Sequence, residues 1–179
     1  HDPDNVKAVA ELAIEYKELI IGFDIAGPEL NYLPSMYRDS FLKVKNAGIN
    51  VTIHAGEGDG VHSIQEALDN GAKRIGHGVR IIEDISDDNE LGPTADYILQ
   101  NNIPLEVCIT SNLHTNMYKN PQDHPISRLH NLGFNISLNT DNRLMSNTSI
   151  DNELNVAKAA GIENPTYLLK YSASDSFLN

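Results

Sequence analysis

Short apolar runs alternate with amphipathic stretches along the chain. The run at residues 19–25, Leu-Ile-Ile-Gly-Phe-Asp-Ile, is rich in β-branched residues and stops at Gly27-Pro28, which is typical of a buried strand. Four further runs share this character. The pattern therefore predicts five strands, at residues 19–25, 50–54, 73–77, 104–109 and 134–138.

An amphipathic stretch follows each predicted strand. Ser35 is expected to cap the first helix and Thr148 or Ser149 the last, with Glu153 completing a capping box. Strands that return about every 25 to 33 residues, each with a helical connection, are typical of right-handed β/α units. The sequence predicts an α/β fold with one parallel sheet and one domain over residues 1–179. The helices are expected at residues 35–47, 63–68, 93–100, 125–132 and 149–160.

The charge balance narrows the choice of partner. Lys and Arg number 13 against 25 Asp and Glu, which gives a formal net charge of -12. Such a surface repels phosphate backbones and anionic lipids, so we expect no nucleic-acid or membrane partner. The single Cys108 excludes an intrachain disulfide and a four-cysteine zinc site, and its apolar neighbours place it in the core. A soluble protein that binds a small molecule remains.

Polar and titratable side chains cluster where the predicted strands end. The carboxyl ends of parallel strands meet at one edge of a sheet, so these side chains are expected to share a site. Structural alternatives remain: a satisfied strand-end histidine for His54, a bulge or tight strand end for His77, and a turn for Asp141. Two histidines facing a carboxylate suit a zinc or similar divalent ion with an open water position. His124 and His130 are expected on helix surfaces or caps. The strand-end residues are His54 and Glu57, His77, Ser111 and Asn112, and Asp141 and Asn142.

Five strings occur in a characteristic order over nearly the whole chain. They are Asp24-Ile25-Ala26-Gly27-Pro28-Glu29, His54-Ala55-Gly56-Glu57, Arg74-Ile75-Gly76-His77-Gly78, Leu105-Glu106-Val107-Cys108 with Thr110-Ser111-Asn112, and Leu138-Asn139-Thr140-Asp141. Together they resemble the adenosine deaminases and their relatives in the metal-dependent amidohydrolase superfamily. The resemblance implies a partial (β/α)8 TIM barrel whose five strands match the family's fourth to eighth, with the N-terminal β/α units absent. A length of 179 residues, below the about 250 of a complete barrel, agrees with this expectation.

The resemblance also implies the chemistry. A zinc-activated water attacks C6 of a purine, ammonia leaves and a 6-oxopurine forms. His54 and Asp141 would be metal ligands, Glu57 would protonate ring N1, and His77 would orient and deprotonate the water. Gly27 would offer its backbone N–H to ring N3. These roles agree with physical need, because a metal ion lowers the pKa of water from 15.7 towards about 7 and protonation of N1 makes C6 electrophilic.

Two departures from the family pattern change what we expect of purine recognition and of metal binding. The family has a second Asp after the ligand Asp, which hydrogen-bonds purine N7, whereas this chain has Asn142. An amide NH₂ donates to N7 without the raised pKa that a carboxyl needs. The family's His-x-His metal pair is absent from the chain, and two ligands alone would hold zinc weakly. We therefore expect a C-terminal portion of a deaminase with little or no activity by itself.

Such a C-terminal portion is expected to need a partner that covers its exposed surfaces. Its strand edges and apolar strand interiors would be exposed, so a complementing N-terminal fragment or self-association should cover them.

A purine nucleoside, adenosine or deoxyadenosine, is the substrate expected first. Adenine, AMP and N6-substituted purines remain alternatives, although a phosphate needs cations and only Arg80 and Arg143 lie near strand ends. A non-catalytic binding or interaction module of the same fold is a further alternative. The chemistry suggests a cytoplasmic location, and the first residues have neither the basic flank nor the apolar core of a signal peptide.

Overall fold

Five strands pair side by side in chain order, and all of them run parallel. The computed structural model describes residues 2–169 and 176–177. The number, order and direction of the strands confirm the prediction, although the first strand is shorter because Leu19 and Ile21 lie exposed outside it. The strands are β1 (Phe23–Ile25), β2 (Val51–Ala55), β3 (Arg74–His77), β4 (Leu105–Val107) and β5 (Ile136–Leu138).

Helices connect the strands and cover one face of the sheet. In the described part of the chain they are α1 (Pro3–Glu15), α2 (Arg38–Asn46), α3 (Val61–Asp69), α4 (Pro93–Gln100), α5 (Ile109–His114), α6 (Ile126–Asn131), α7 (Arg143–Ser146) and α8 (Ile150–Ala159). The predicted helix at 93–100 is confirmed residue for residue. The fourth predicted strand was too long, because α5 already begins at Ile109. Within residues 2–169 and 176–177, no helix has the length and apolar character needed to cross a membrane.

The helix caps are partly as predicted. Ser149 caps α8, since its Oγ accepts the N–H of Asn152 at 3.2 Å. Ser35 does not cap α2; it lies in a 3-10 turn, Pro34–Tyr37, and its backbone N–H donates to Glu66.

Glu153 was predicted to complete a capping box, and this prediction is wrong. Its fully buried carboxylate accepts from the backbone N–H of Thr110 at 3.2 Å and from the hydroxyl of Thr148 at 2.8 Å. The carboxylate turns inward because Thr110 presents an N–H at the start of α5. Glu153 thereby ties α8 to α5.

The sheet has two chemically different faces. Large apolar side chains at alternate positions pack under the helices and form the core, namely Phe23, Val51, Ile53, Ile75, Leu105, Val107, Ile136 and Leu138. The opposite face is polar: Asp24 pairs in register with Thr52 and Thr52 with Arg74, while Gly76 pairs with Glu106 and Glu106 with Ser137. The prediction of exposed apolar strand interiors is therefore wrong for this face, because its side chains are polar and partly paired.

Candidate active site

Three of the predicted site residues line one cavity at the carboxyl ends of the strands. His54 lies on β2, His77 ends β3, and Asp141 follows β5. The cavity has a volume of about 170 Å³, and Gly76, Glu106, Cys108 and Asn139 complete its lining. The side chains predicted to share a site are therefore brought together by the parallel register.

His54 packs against the backbone of the neighbouring strand. A Cβ at Gly76 would lie only 2.8 Å from Nδ1 of His54, so the glycine makes room for the imidazole. Nδ1 is buried and lies 3.5 Å from Oδ1 of Asp24, an electrostatic contact longer than an ordinary hydrogen bond. Burial alone lowers the pKa of His54, but the Asp24 carboxylate, with Asp141 and Glu106, outweighs it and the net pKa is raised.

His77 is buried and held in an unusual conformation. It is 2 % exposed, and its φ of 60° places a non-glycine residue in the left-handed region. Its ring centroid lies 5.1 Å from that of His54. Burial, together with the charge of His54, lowers the pKa of His77 to about 4, so the ring is neutral at neutral pH.

Glu57 and His77 share one hydrogen-bond partner, Asn112. Asn112 donates from Nδ2 to Oε1 of Glu57 at 2.9 Å, and the same nitrogen lies 3.1 Å from Nδ1 of His77. Burial raises the pKa of Glu57 and outweighs the hydrogen bond from Asn112, which lowers it, while the charge of Asp141 raises it further. Glu57 therefore retains a proton to a higher pH than an exposed carboxyl does.

Glu29 holds the loop that carries Glu57, a role that sequence reasoning missed. Its buried carboxylate accepts the backbone N–H groups of Gly56 at 3.0 Å, Glu57 at 2.9 Å and Asp59 at 2.9 Å. Ser63 adds a longer contact of 3.4 Å from its hydroxyl. The loop after β2 is thus built around a carboxylate that follows β1.

Asp141 and Asn142 stand at the exposed mouth of the site. Ser111 donates its hydroxyl to Oδ2 of Asp141 at 2.7 Å. Oδ1 of Asn142 caps α7 by accepting the N–H groups of Leu144 and Met145, each at 3.1 Å. This cap leaves the amide Nδ2 of Asn142 available as a donor.

Gly27 lies beside His54 at the opposite rim. The two residues line a small cleft of about 20 Å³ together with Glu29, and Gly27 has a φ of 118° that favours glycine. All six predicted site residues therefore lie at the same end of the sheet.

The prediction about His124 is wrong, and the prediction about Cys108 is confirmed. His124 is 3 % exposed rather than on a helix surface, because it hydrogen-bonds to the buried Asn112. His130 lies in α6 and is partly exposed, in agreement with the prediction, and it contacts the hydroxyl of Tyr167. Cys108 is buried in the core as predicted, and burial raises the pKa of its thiol.

The metal-binding capacity of the site is incomplete in the part of the chain described. No group of three or more His, Cys, Asp or Glu side chains there is arranged to enclose a metal ion. His54 and Asp141 nevertheless line the same cavity, and Asp24 lies on the Nδ1 side of His54, as a carboxylate often does behind a metal-binding imidazole. The imidazole and carboxylate donors of His54 and Asp141 are of the kinds that bind a divalent metal ion.

Comparisons with known proteins identify the family of the chain. The family model for adenosine deaminase matches residues 1–167. The chain belongs to the adenosine deaminase family. It is 47% identical over 151 residues to adenosine deaminase 1 of Streptomyces coelicolor, covering 81% of this chain and 38% of that protein. It is 44% identical over 154 residues to adenosine deaminase of Mycolicibacterium vanbaalenii, covering 83% of this chain and 42% of that protein. The chain thus spans about two-fifths of the length of these curated relatives.

Solved structures confirm the predicted partial (β/α)8 barrel. Adenine deaminase from Arthrobacter aurescens superposes with a TM-score of 0.86 at 24% identity, over 99% of this chain and 53% of that chain. An amidohydrolase from Burkholderia ambifaria with bound Zn superposes with a TM-score of 0.87 at 18% identity, over 100% of this chain and 50% of that one. Because both identities are below 25%, these two similarities show the fold of this deaminase family member and nothing more.

Proposed function

We propose that the protein containing this chain hydrolyses the C6 amino group of adenosine or deoxyadenosine to give inosine or deoxyinosine and ammonia. The observation that carries the proposal is the meeting of a partly buried carboxyl, Glu57, with a neutral buried imidazole, His77, beside His54 and Asp141. Burial raises the pKa of Glu57, as a general acid requires. Adenosine deaminase relatives at 42% to 47% identity support the substrate class. We place the reaction in the cytoplasm, as one of purine salvage.

The metal in this proposal is zinc. His54 and Asp141 would hold it, and its remaining ligands would have to come from outside the described residues. A bound zinc ion would lower the pKa of a water molecule towards about 7 and so supply a nucleophile at neutral pH.

The side chains of this chain position the purine and move its protons. Water adds its oxygen to C6 while Glu57 gives its proton to N1. One proton of the water passes to the amino group, which leaves as ammonia when the C6–N bond breaks, and the other water proton returns to Glu57 as the C6 oxygen becomes a carbonyl. His77 orients the water oxygen. Gly27 donates its backbone N–H to N3, and Asn142 donates from Nδ2 to N7. Each contact uses a donor that the loops already hold in place.

Charge at the site favours a nucleoside over AMP. Arg80 lines the same cleft as Glu57, and its charge is offset by Glu83, whose Oε1 lies 2.6 Å from Nε of Arg80. Arg143 is exposed in the first turn of α7. Another 6-aminopurine is the alternative substrate, and a non-catalytic binding module is the alternative function.

Zinc content and adenosine turnover test the proposal together. We expect about one zinc per chain and conversion of adenosine to inosine when the chain is expressed with the sequence that its gene places upstream. The 179-residue chain alone should hold little zinc and turn over no adenosine. Turnover by the short chain would contradict the need for further ligands. A zinc-loaded long form that deaminates no 6-aminopurine would favour the binding module.

Substitution of Asn142 tests recognition of N7. Asn142→Ser keeps the α7 cap, because a hydroxyl oxygen also accepts backbone N–H groups, but it removes the amide NH₂ that would donate to N7. We expect kcat/KM for adenosine to fall about tenfold at pH 7, the value of one hydrogen bond. The measurement compares adenosine with 7-deazaadenosine, which has no N7 acceptor. An equal loss for both compounds would contradict the assigned contact.

A further inference from the structure

His124 is a buried titratable group to which the proposed chemistry gives no task. It follows the 3-10 turn Pro121–Asp123 and precedes α6, and only 3 % of its surface is exposed. Its two ring nitrogens both have partners. Nδ1 accepts the backbone N–H of Ile126 at 3.2 Å, and Nε2 lies 3.2 Å from Oδ1 of Asn112.

The backbone contact determines which nitrogen of His124 carries the proton. A backbone N–H can only donate, so Nδ1 must be an acceptor and the proton of the neutral ring resides on Nε2. Nε2 therefore donates to Oδ1 of Asn112. Burial, with a smaller effect from the charge of His77, lowers the pKa of His124 to about 3, which keeps the ring neutral.

This donor in turn determines the orientation of the Asn112 amide. If the amide were flipped, its NH₂ would face Nε2 of His124, which already carries a proton. The unflipped amide places Oδ1 towards His124 and leaves both protons of Nδ2 for Oε1 of Glu57 at 2.9 Å and Nδ1 of His77 at 3.1 Å. Asn112 is fully buried, so its amide is shielded from solvent.

We propose that His124 is a positioning residue: it locks the Asn112 amide, which then holds Oε1 of Glu57 so that Oε2 carries the proton delivered to the purine. The inference rests on the proposed deamination. His124 itself touches neither purine nor water in this arrangement. Its effect passes through Asn112, and the same amide holds His77 from the Nδ1 side.

The tautomer of His124 tests the first step without reference to activity. In the full gene product labelled with ¹⁵N-histidine, two-bond ¹⁵N–¹H correlations at pH 7 should identify His124 as a neutral ring protonated on Nε2. A ring protonated on Nδ1, or on both nitrogens, would overturn the inference. This result stands apart from the deaminase proposal, because it is obtained even if adenosine is not the substrate.

Substitutions test the consequence for turnover. His124→Leu removes the donor, whereas the side-chain amide of His124→Gln can both accept from Ile126 and donate to Asn112. We expect kcat for adenosine to fall roughly 10- to 100-fold in His124→Leu, with KM changed less than threefold. The reason is that displacing a catalytic group slows the chemical step but leaves substrate binding almost unchanged. His124→Gln should recover to within about threefold of the parent, and His114→Leu, on the exposed end of α5, should match the parent.

A double substitution separates positioning from packing. If His124 acts through Asn112, His124→Leu should cost little further kcat in an Asn112→Leu background. Additive losses, or a lower melting temperature with unchanged kcat, would overturn the inference while leaving the deaminase proposal intact. If His124→Leu fails to fold, the kcat of His124→Gln and the tautomer of His124 test the inference instead. A kcat of His124→Gln that is reduced tenfold or more would overturn the inference.

Discussion

The Glu57→Gln variant is expected to lose about 10²- to 10⁴-fold in kcat for adenosine, the usual contribution of a positioned general acid. The glutamine amide oxygen can still accept from Asn112, and its NH₂ can donate a hydrogen bond to N1, so the local structure and KM should change little. It cannot transfer a proton. The loss therefore isolates protonation of N1 from binding of the purine.

The pH profile adds an independent measurement on the same pair of proteins. Burial raises the pKa of Glu57, and only the protonated carboxyl is active, so kcat/KM of the parent should fall as the pH rises through that pKa. The Glu57→Gln profile should lack this limb, since an amide does not titrate. Glu90→Gln, in the exposed loop before α4, is the matched control and should keep the parent profile. A Glu57→Gln loss below tenfold would contradict the assignment of Glu57 as the acid.

Much of the fold follows from local sequence patterns. The β-branched runs and their Gly or Asn stops predict the strands because a strand buried in a parallel sheet needs continuous apolar residues. Helix α4 is predicted residue for residue because Pro93 opens it at a position where a proline is favoured. The signals for α1 were also present, with Asp2 accepting the N–H of Asp4 and Pro3 in the first turn. Helix α1 was not predicted because its composition is polar and it precedes the first strand.

The residues that support the site are harder to predict because their partners are distant in the chain. Glu29 reaches Gly56, 27 residues away, and Asn112 reaches Glu57 over 55 residues. His124 has the sequence environment of a helix-surface residue, and only the fold reveals that its ring faces the buried Asn112. Strand-end position predicts that Asn112 lies at the site. It predicts neither the partners of Asn112 nor the roles of Glu29 and His124, because such contacts depend on the tertiary packing of loops.

Removing the Glu29 carboxylate should have the largest effect on stability. Glu29→Leu leaves the N–H groups of Gly56, Glu57 and Asp59 without their acceptor, and each such group costs about 1–3 kcal/mol when buried. Because the three losses share one loop that can relax, we expect the free energy of unfolding of the full gene product to fall by about 3–5 kcal/mol. Urea unfolding at pH 7 measures this change.

A conservative change separates stability from catalysis at the same position. Glu29→Gln keeps the shape but turns an NH₂ towards backbone donors, so its free energy of unfolding should fall by a smaller amount, about 1–3 kcal/mol. Its kcat should fall even where the protein is fully folded, because Glu29 holds the backbone of Glu57 itself. Glu18→Gln, whose side chain is 88% exposed, should stay within about 0.5 kcal/mol of the parent. Parent-like stability and kcat in Glu29→Gln would mean that the loop after β2 is held by other contacts, and that the position of Glu57 does not depend on β1.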